Sequence, residues 1–169
     1  MLARRLLDDF QGQGVPGVLI SLDNWLLGVD QRTGAETVRE RFRYSAIAEA
    51  VALLREGIEV FPPVYDPQTR RVVSQRGDHS LVIPEHGMGI VDGVVALDIA
   101  PVRMLSDVCV FIDVADAVRR SRLIDFYTRF KDCSLQEATR IIEEREAEEI
   151  PIIKASKKYA DVIYHPSEE

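Results

Sequence analysis

The chain has 169 residues, a formal net charge of −7, 46% hydrophobic residues and 29% charged ones, which is one domain's length with enough apolar matter for a packed core. A mean hydropathy of −0.06 excludes a disordered chain, and no apolar run approaches the roughly 18–20 residues that a membrane-spanning helix needs. The negative charge excludes a general nucleic-acid or anionic-membrane binder, because phosphate backbones reward positive charge, while a local basic pocket for a small phosphate ligand stays compatible with it.

The start, Met1-Leu-Ala-Arg-Arg-Leu-Leu7, has neither a long apolar stretch nor a small-residue cleavage site, so a cytoplasmic chain is expected. Leu2, Leu6, Leu7 and Phe10 share one face of a helix over 2–10, stopped by Gly12 and Gly14. Gly17 to Leu22 is a short apolar strand without alternation, as in a sheet buried on both faces, and a polar loop carrying Asp23 and Asn24 follows. Thr33 and Glu36 have capping-box spacing, and a helix over about 37–56 fits Val38, Phe42, Ile47, Ala50, Val51 and Leu54, with Gly57 ending it. Ile58 to Phe61 is expected to be a strand, and 62–78 a turn-rich basic stretch with Arg70, Arg71 and Arg76. Ser80 to Ile83, Gly89 to Leu97 and Val108 to Val114 read as further strands.

Cys109 lies in the last of these as a small buried hydrophobe; with Cys133 it has no CxxC spacing and builds no disulfide framework. Asp116 is placed to cap a helix holding Arg119, Arg120, Arg122 and Arg129. Ser134 and Glu137 form a second capping box, opening a helix expected to end near Pro151, and Ala160 to Tyr164 is a last strand. Helices alternating with apolar strands predict a single α/β domain over 1–169 with a mainly parallel sheet; no repeat, low-complexity segment or linker interrupts it.

Asp23 follows directly on a strand, and in open α/β sheets ligands gather beyond the carboxyl ends of strands. A carboxylate there takes a proton from a substrate hydroxyl or helps hold a metal; the alternative is a turn-forming Asp. Asp92, with Gly93 inside the run Ile90 to Leu97, is costly to bury without a partner, and magnesium or its water shell is one; the alternative is a solvated bulge. Arg119, Arg122 and Arg129 fall on one helix face, which suits a polyphosphate, or else a solvated face paired with acids such as Asp125. Tyr65-Asp66, between Pro63 and Pro67, makes a stiff turn. His79, His86 and His165 lack metal-ligand spacing. The run Glu143 to Glu149 reads as a solvated helix face with Arg140 and Arg145 as local pairs, and Lys154, Lys157 and Lys158 as solubilising surface.

These segments, in order, resemble the uridine kinase and phosphoribulokinase family. Ile20-Ser-Leu-Asp-Asn-Trp25 is similar to the segment after that family's second strand. Pro63-Val-Tyr-Asp66 is similar to its Pro-x-Tyr-Asp turn, and Val91 to Leu97 to its acidic-Gly strand. Phe111-Ile-Asp-Val114 with Arg119-Arg-Ser-Arg-Leu123 resembles the strand leading into its arginine-bearing lid, and Lys157 to Ile163 its terminal signature. The resemblance spans nearly the whole chain. It implies a P-loop NTPase-like three-layer sandwich and an ATP- and Mg2+-dependent phosphotransferase acting on a hydroxyl of a nucleoside or other sugar-containing acceptor. Asp23 is then the general base and Asp92 the magnesium residue. Tyr65, Asp66 and Arg70 line the acceptor pocket, and Arg119, Arg122 and Arg129 steady the phosphates.

Two departures qualify what the resemblance implies. No GxxxxGK[ST] occurs in the sequence, and Leu2 to Leu7 resembles the helix that follows that loop, so a first strand and its phosphate loop are expected to be missing. Weak or absent catalysis follows, with the alternative of an inactive relative that binds a nucleotide or a protein. Strands flanking the missing one would close up, accept a partner chain or second copy, or leave a marginal protein. Arg70 stands where uridine kinases carry a histidine, which suits a phosphorylated or acidic acceptor better than a pyrimidine.

Overall fold

The computed structural model describes residues 2–166, which gather into two compact units, Met1–Ser106 and Asp107–Glu169. In the first, α1 (Leu2–Gly12) buries Leu7 and packs on β1 (Gly17–Ser21). The chain leaves α1 through Gly14, whose φ of +84° is the left-handed conformation that glycine enters without strain. β1 runs parallel to β4 (Met88–Asp92), in a register from Gly17 opposite Met88 to Ser21 opposite Asp92. Between them in sequence lie α2 (Tyr44–Arg55) and an antiparallel hairpin of β2 (Val64–Asp66) and β3 (Arg71–Ser74). α2 buries Ile47, Ala50, Val51 and Leu54, the helical spacing its sequence predicts, and packs on α3 (Ala100–Leu105) and on the turn after β1.

In the second unit β5 (Val110–Ile112) runs parallel to β6 (Val162–Tyr164). The Asp161 carboxylate accepts the Cys109 N–H at 2.7 Å and fixes the start of the pair. Cys109 is buried, as expected. α4 (Asp116–Phe130) packs on α5 (Leu135–Ser156) around Tyr127, Ala138 and Ile142. Ser134 caps α5 as the sequence predicts, its Oγ accepting the Glu137 N–H at 3.2 Å.

Several expectations are corrected. The single mainly parallel sheet is not formed among the described residues: the strands make three two-stranded sheets, two parallel and one antiparallel. The helix expected over about 37–56 begins only at Tyr44. Thr33 and Glu36 do bond to each other through the Thr33 N–H and hydroxyl, which holds the Glu36 carboxyl down at about 2, but only a 3-10 turn over Arg39–Arg41 lies between them and α2. The backbone of 41–43 bonds instead to the segment after β1: Leu27 N–H donates to Arg41 O at 2.8 Å and Arg43 N–H to Trp25 O at 3.1 Å. Those groups are therefore taken out of any helical ladder.

Ile58 to Phe61 and Ser80 to Ile83 reduce to one bridge, Val60 with Leu81, and the strand at Gly89 stops at Asp92. Asp116 lies in the first turn of α4 and does not cap it; Ala115 holds the cap position. α5 runs through Pro151 to Ser156, since proline there removes one ladder donor but the flanking isoleucines 150, 152 and 153 stay half-buried. Among the described residues no helix is long and apolar enough to cross a membrane.

Candidate functional site

In the first unit, Leu22 and Trp25 are buried at 0% and 3% exposure and anchor a 3-10 turn over Leu22–Trp25. Asp23, between these anchors, is on the exposed side of the turn, directly beyond the carboxyl end of β1. Asp92 closes β4 opposite Ser21, so the two carboxylates that the sequence singles out lie at the same end of two adjacent parallel strands. Gly93 tightens this arrangement: a Cβ there would stand 2.8 Å from the Leu22 Cβ, so the chain after Asp92 presses on the residue before Asp23. Asp92 is half-buried, and loss of hydration raises its carboxyl above the ordinary range.

The basic hairpin is fastened to the same loop. Val29 N–H donates to Arg70 O at 2.7 Å, and a Cβ on Gly28 would approach Val72 N to 3.1 Å. Arg70 itself has a φ of +57°, uncommon for a residue with a side chain, at the tip of the turn. Asp66 organises that turn by accepting the Gln68 N–H at 2.8 Å and the Thr69 hydroxyl at 2.6 Å. Tyr65 and Asp66 are half-buried and Arg70 exposed, so the hairpin presents an aromatic ring and a guanidinium from a segment tied to the Asp23 loop. Read from sequence as a turn, this stretch is in fact a strand pair.

A third group escaped the sequence reading. Asp98, in the segment between β4 and α3, accepts Arg39 Nε at 2.7 Å, Arg39 Nη2 at 2.8 Å and the Tyr44 hydroxyl at 2.8 Å. The Arg39 guanidinium, then the Tyr44 hydroxyl, hold its carboxyl low, and burial with this carboxylate beside it pushes the Tyr44 phenol up. Residues 54 and 59 apart in sequence meet here, a separation no local motif encodes.

In the second unit, α4 carries the arginines. Arg119 is bonded to Asp116 at 3.2 Å and to Glu146 of α5 at 2.9 Å; Arg120 pairs with Glu143 at 3.4 Å and Glu146 at 3.1 Å. Arg129 is exposed and pairs with Asp125 at 3.8 Å, which is the surface pairing the sequence left open. Arg122 is exposed and borders a cavity of about 170 Å³ with Asp113 and His165.

The acidic run of α5 divides. Glu144 pairs locally with Arg140 at 2.7 Å as expected, but Glu146 turns inward to α4 and is only 19% exposed, a correction to the solvated-face reading. Arg145 lies over the Tyr127 ring at 5.9 Å. Lys154 and Lys157 pair with Asp116 at 3.3 Å and Asp113 at 2.7 Å.

Among the described residues no group of three metal-ligating side chains converges. Asp92 still fits magnesium in donor chemistry, since that ion keeps most of its waters and takes one or two protein carboxylates together with phosphate oxygens.

No family model matches the chain, and no curated protein matches it. Among solved structures it is similar to a putative fructose transport system kinase from Silicibacter sp. TM1040. The two are 14% identical with a TM-score of 0.73, over 96% of this chain and 82% of that one. At that identity the likeness is one of fold: a mixed α/β chain with parallel strands.

Proposed function

We propose that the chain is a uridine kinase-like phosphotransferase, directed at a hydroxyl of a nucleoside or other small sugar-containing molecule. The observation that carries this reading is the placing of Asp23 and Asp92 at the carboxyl ends of two in-register parallel strands, pressed together at Gly93 and Leu22. Asp23 takes the proton of the attacking hydroxyl. Asp92 would hold magnesium, which would supply charge to offset that of the phosphates. Tyr65 and Arg70, on the hairpin fastened to the Asp23 loop, receive the sugar and any acidic substituent on it. Within the second unit, taken by itself, the resemblance gives Arg119 and Arg122 the role of meeting phosphate charge. The fold-level likeness to a protein described as a fructose transport system kinase favours a sugar over a nucleobase as the recognised part.

ATP is the phosphate donor in this reading, and the sequence has no GxxxxGK[ST] to hold it. Turnover by these residues is therefore expected to be weak. The ion pairs that already engage Arg119 favour a second reading, an inactive relative that binds without transferring.

The test is transfer of labelled phosphate from Mg-ATP to a panel of sugars, sugar phosphates and nucleosides. Asp23→Asn should lower kcat/KM about 10²–10⁴-fold while leaving the fold intact. Turnover unchanged in that variant refutes the assignment of Asp23, and no turnover with any acceptor leaves the binding-only reading standing.

A further inference from the structure

Glu146 stands where two guanidiniums of α4 converge. Its Oε1 accepts from Arg119 Nη2 at 2.9 Å, and its Oε2 pairs with Arg120 Nη2 at 3.1 Å. Its neighbours Glu143 and Glu144 are far more open: Glu146 is 19% exposed against 59% for Glu143 and 61% for Glu144. These groups line an open cleft of about 660 Å³ between α4 and α5. Two guanidiniums, each through its Nη2, meet the two oxygens of one sheltered carboxylate, an arrangement whose chemistry also suits other oxyanions. The cations of the cleft are matched by acids, since Asp116 answers both Arg119 and Lys154, and Glu143 shares Arg120. A singly charged ligand gains nothing over the resident carboxylate. A polyphosphate brings more charge and more acceptor oxygens to the same two guanidiniums, so it can displace that carboxylate.

Resting on the reading of Arg119 as a phosphate-binding residue, we propose that Glu146 is a resident competitor, its carboxylate holding the place between Arg119 and Arg120 that a polyphosphate takes. The cleft then discriminates by charge: it stays closed to monoanions and opens to ligands that can replace Glu146 at both arginines. Arg120 thereby joins Arg119 as a ligand residue, and Glu146 sets the threshold.

Calorimetric titration of the full chain with inorganic tripolyphosphate at low salt tests this. Glu146→Gln should bind about tenfold or more tightly than the unaltered chain, since the competitor loses its charge. Glu144→Gln removes the same charge from the same helix outside the cleft and should change little. Adding Arg120→Ala to Glu146→Gln should abolish the gain. No gain in Glu146→Gln, absence of binding in every variant, or an equal gain in Glu144→Gln overturns the proposal.

Should circular dichroism show that Glu146→Gln does not fold, Glu146→Asp replaces it. Its carboxylate is one methylene too short to reach both guanidiniums, and an intermediate gain is expected; no gain again overturns the idea. Failure of the broader reading is distinguishable. If Arg119→Ala lowers phosphate transfer while Glu146→Gln gains no affinity, the kinase reading stands and the competitor falls. If Asp23→Asn has no effect on transfer but Glu146→Gln gains affinity through Arg120, the cleft is an anion site in its own right.

Discussion

Replacing Asp98 with alanine should destabilise the first unit by about 1.5–2 kcal/mol at neutral pH, chiefly because the half-buried Tyr44 hydroxyl loses its charged partner. The Tyr44 hydroxyl gives up a hydrogen bond to a charged group, about 1.5 kcal/mol, and that hydroxyl is half-buried. Arg39 gives up two bonds at 2.7 and 2.8 Å, but its side chain is 59% exposed and water takes their place, so this half adds little. Tyr44→Phe should therefore lose about 1.5 kcal/mol, and Arg39→Ala markedly less.

Urea unfolding followed by tryptophan fluorescence reads the effect, since the sole tryptophan, Trp25, is 3% exposed and lies in this unit. The pH dependence carries the sharper test. Arg39, with Tyr44, depresses the folded-state pKa of Asp98 below its unfolded value. The stabilisation is thus present above the unfolded carboxylate pKa of about 4 and is lost as pH falls through the lower folded value. The gap between Asp98→Ala and the unaltered chain should close in acid. A gap that stays constant from neutral pH to about pH 2, or no gap at neutral pH, refutes the electrostatic reasoning and leaves Asp98 a packing residue.

At Asp92 the sign reverses. Burial raises its folded-state pKa, so its charge weakens the fold once ionised, and the folded state gains relative stability as pH falls below the raised value. Asp92→Asn should therefore raise the melting temperature at pH 7 and lose that advantage near pH 3, while impairing magnesium-dependent transfer; thermal melts at the two values decide it. Gly93→Ala places a Cβ 2.8 Å from that of the fully buried Leu22, which has no room to withdraw, and should destabilise by about 1–3 kcal/mol in the same urea assay. Ile142→Ala, at a site 1% exposed between α4 and α5, should lose about 2–5 kcal/mol from the second unit, seen as an earlier loss of helical circular dichroism.

What the sequence made legible is what adjacent residues decide. α1, β1, the Ser134 cap and the end of α2 at Gly57 follow from helical or strand periodicity closed by a local stop, and each forms where its residues place it. The failures share one cause. The segment 37–43 has helical spacing, yet its Arg41 carbonyl and Arg43 N–H bond across to Leu27 and Trp25, partners that no window of neighbouring residues reveals, and only a short 3-10 turn forms there. The strands starting at Val64 and Arg71 pair, Val64 with Ser74 and Asp66 with Arg71, because Asp66 and Thr69 build the turn between them, whereas the intervening Pro67 and Arg70 mimic plain loop. Gly93 breaks β4 because Leu22 is already there, so the apolar run to Leu97 misleads. α3 was signalled only by Pro101 in its first turn, a cue that weighs little inside an apolar stretch.

The candidate site divides along the same line. Asp23 and Asp92 were visible because chemistry and strand position coincide in each; the register that sets Asp92 opposite Ser21, two residues before Asp23, is a property of two strands 71 residues apart, Gly17 opposite Met88, and came only with the fold. The arginines were visible as a face, but a face has no sign until its neighbours are known. Arg129 meets Asp125 one turn earlier on its own helix, an open surface pair worth well under 1 kcal/mol. Arg119 meets Glu146 across two helices at 27% and 19% exposure, where partial desolvation strengthens the pairing and makes it costly to break for nothing. A phosphate-binding role therefore falls to Arg119 only on condition that the ligand outbids a carboxylate already in place. That condition makes Glu146, read from the sequence as mere surface, the residue on which the chemistry of this helix pair turns.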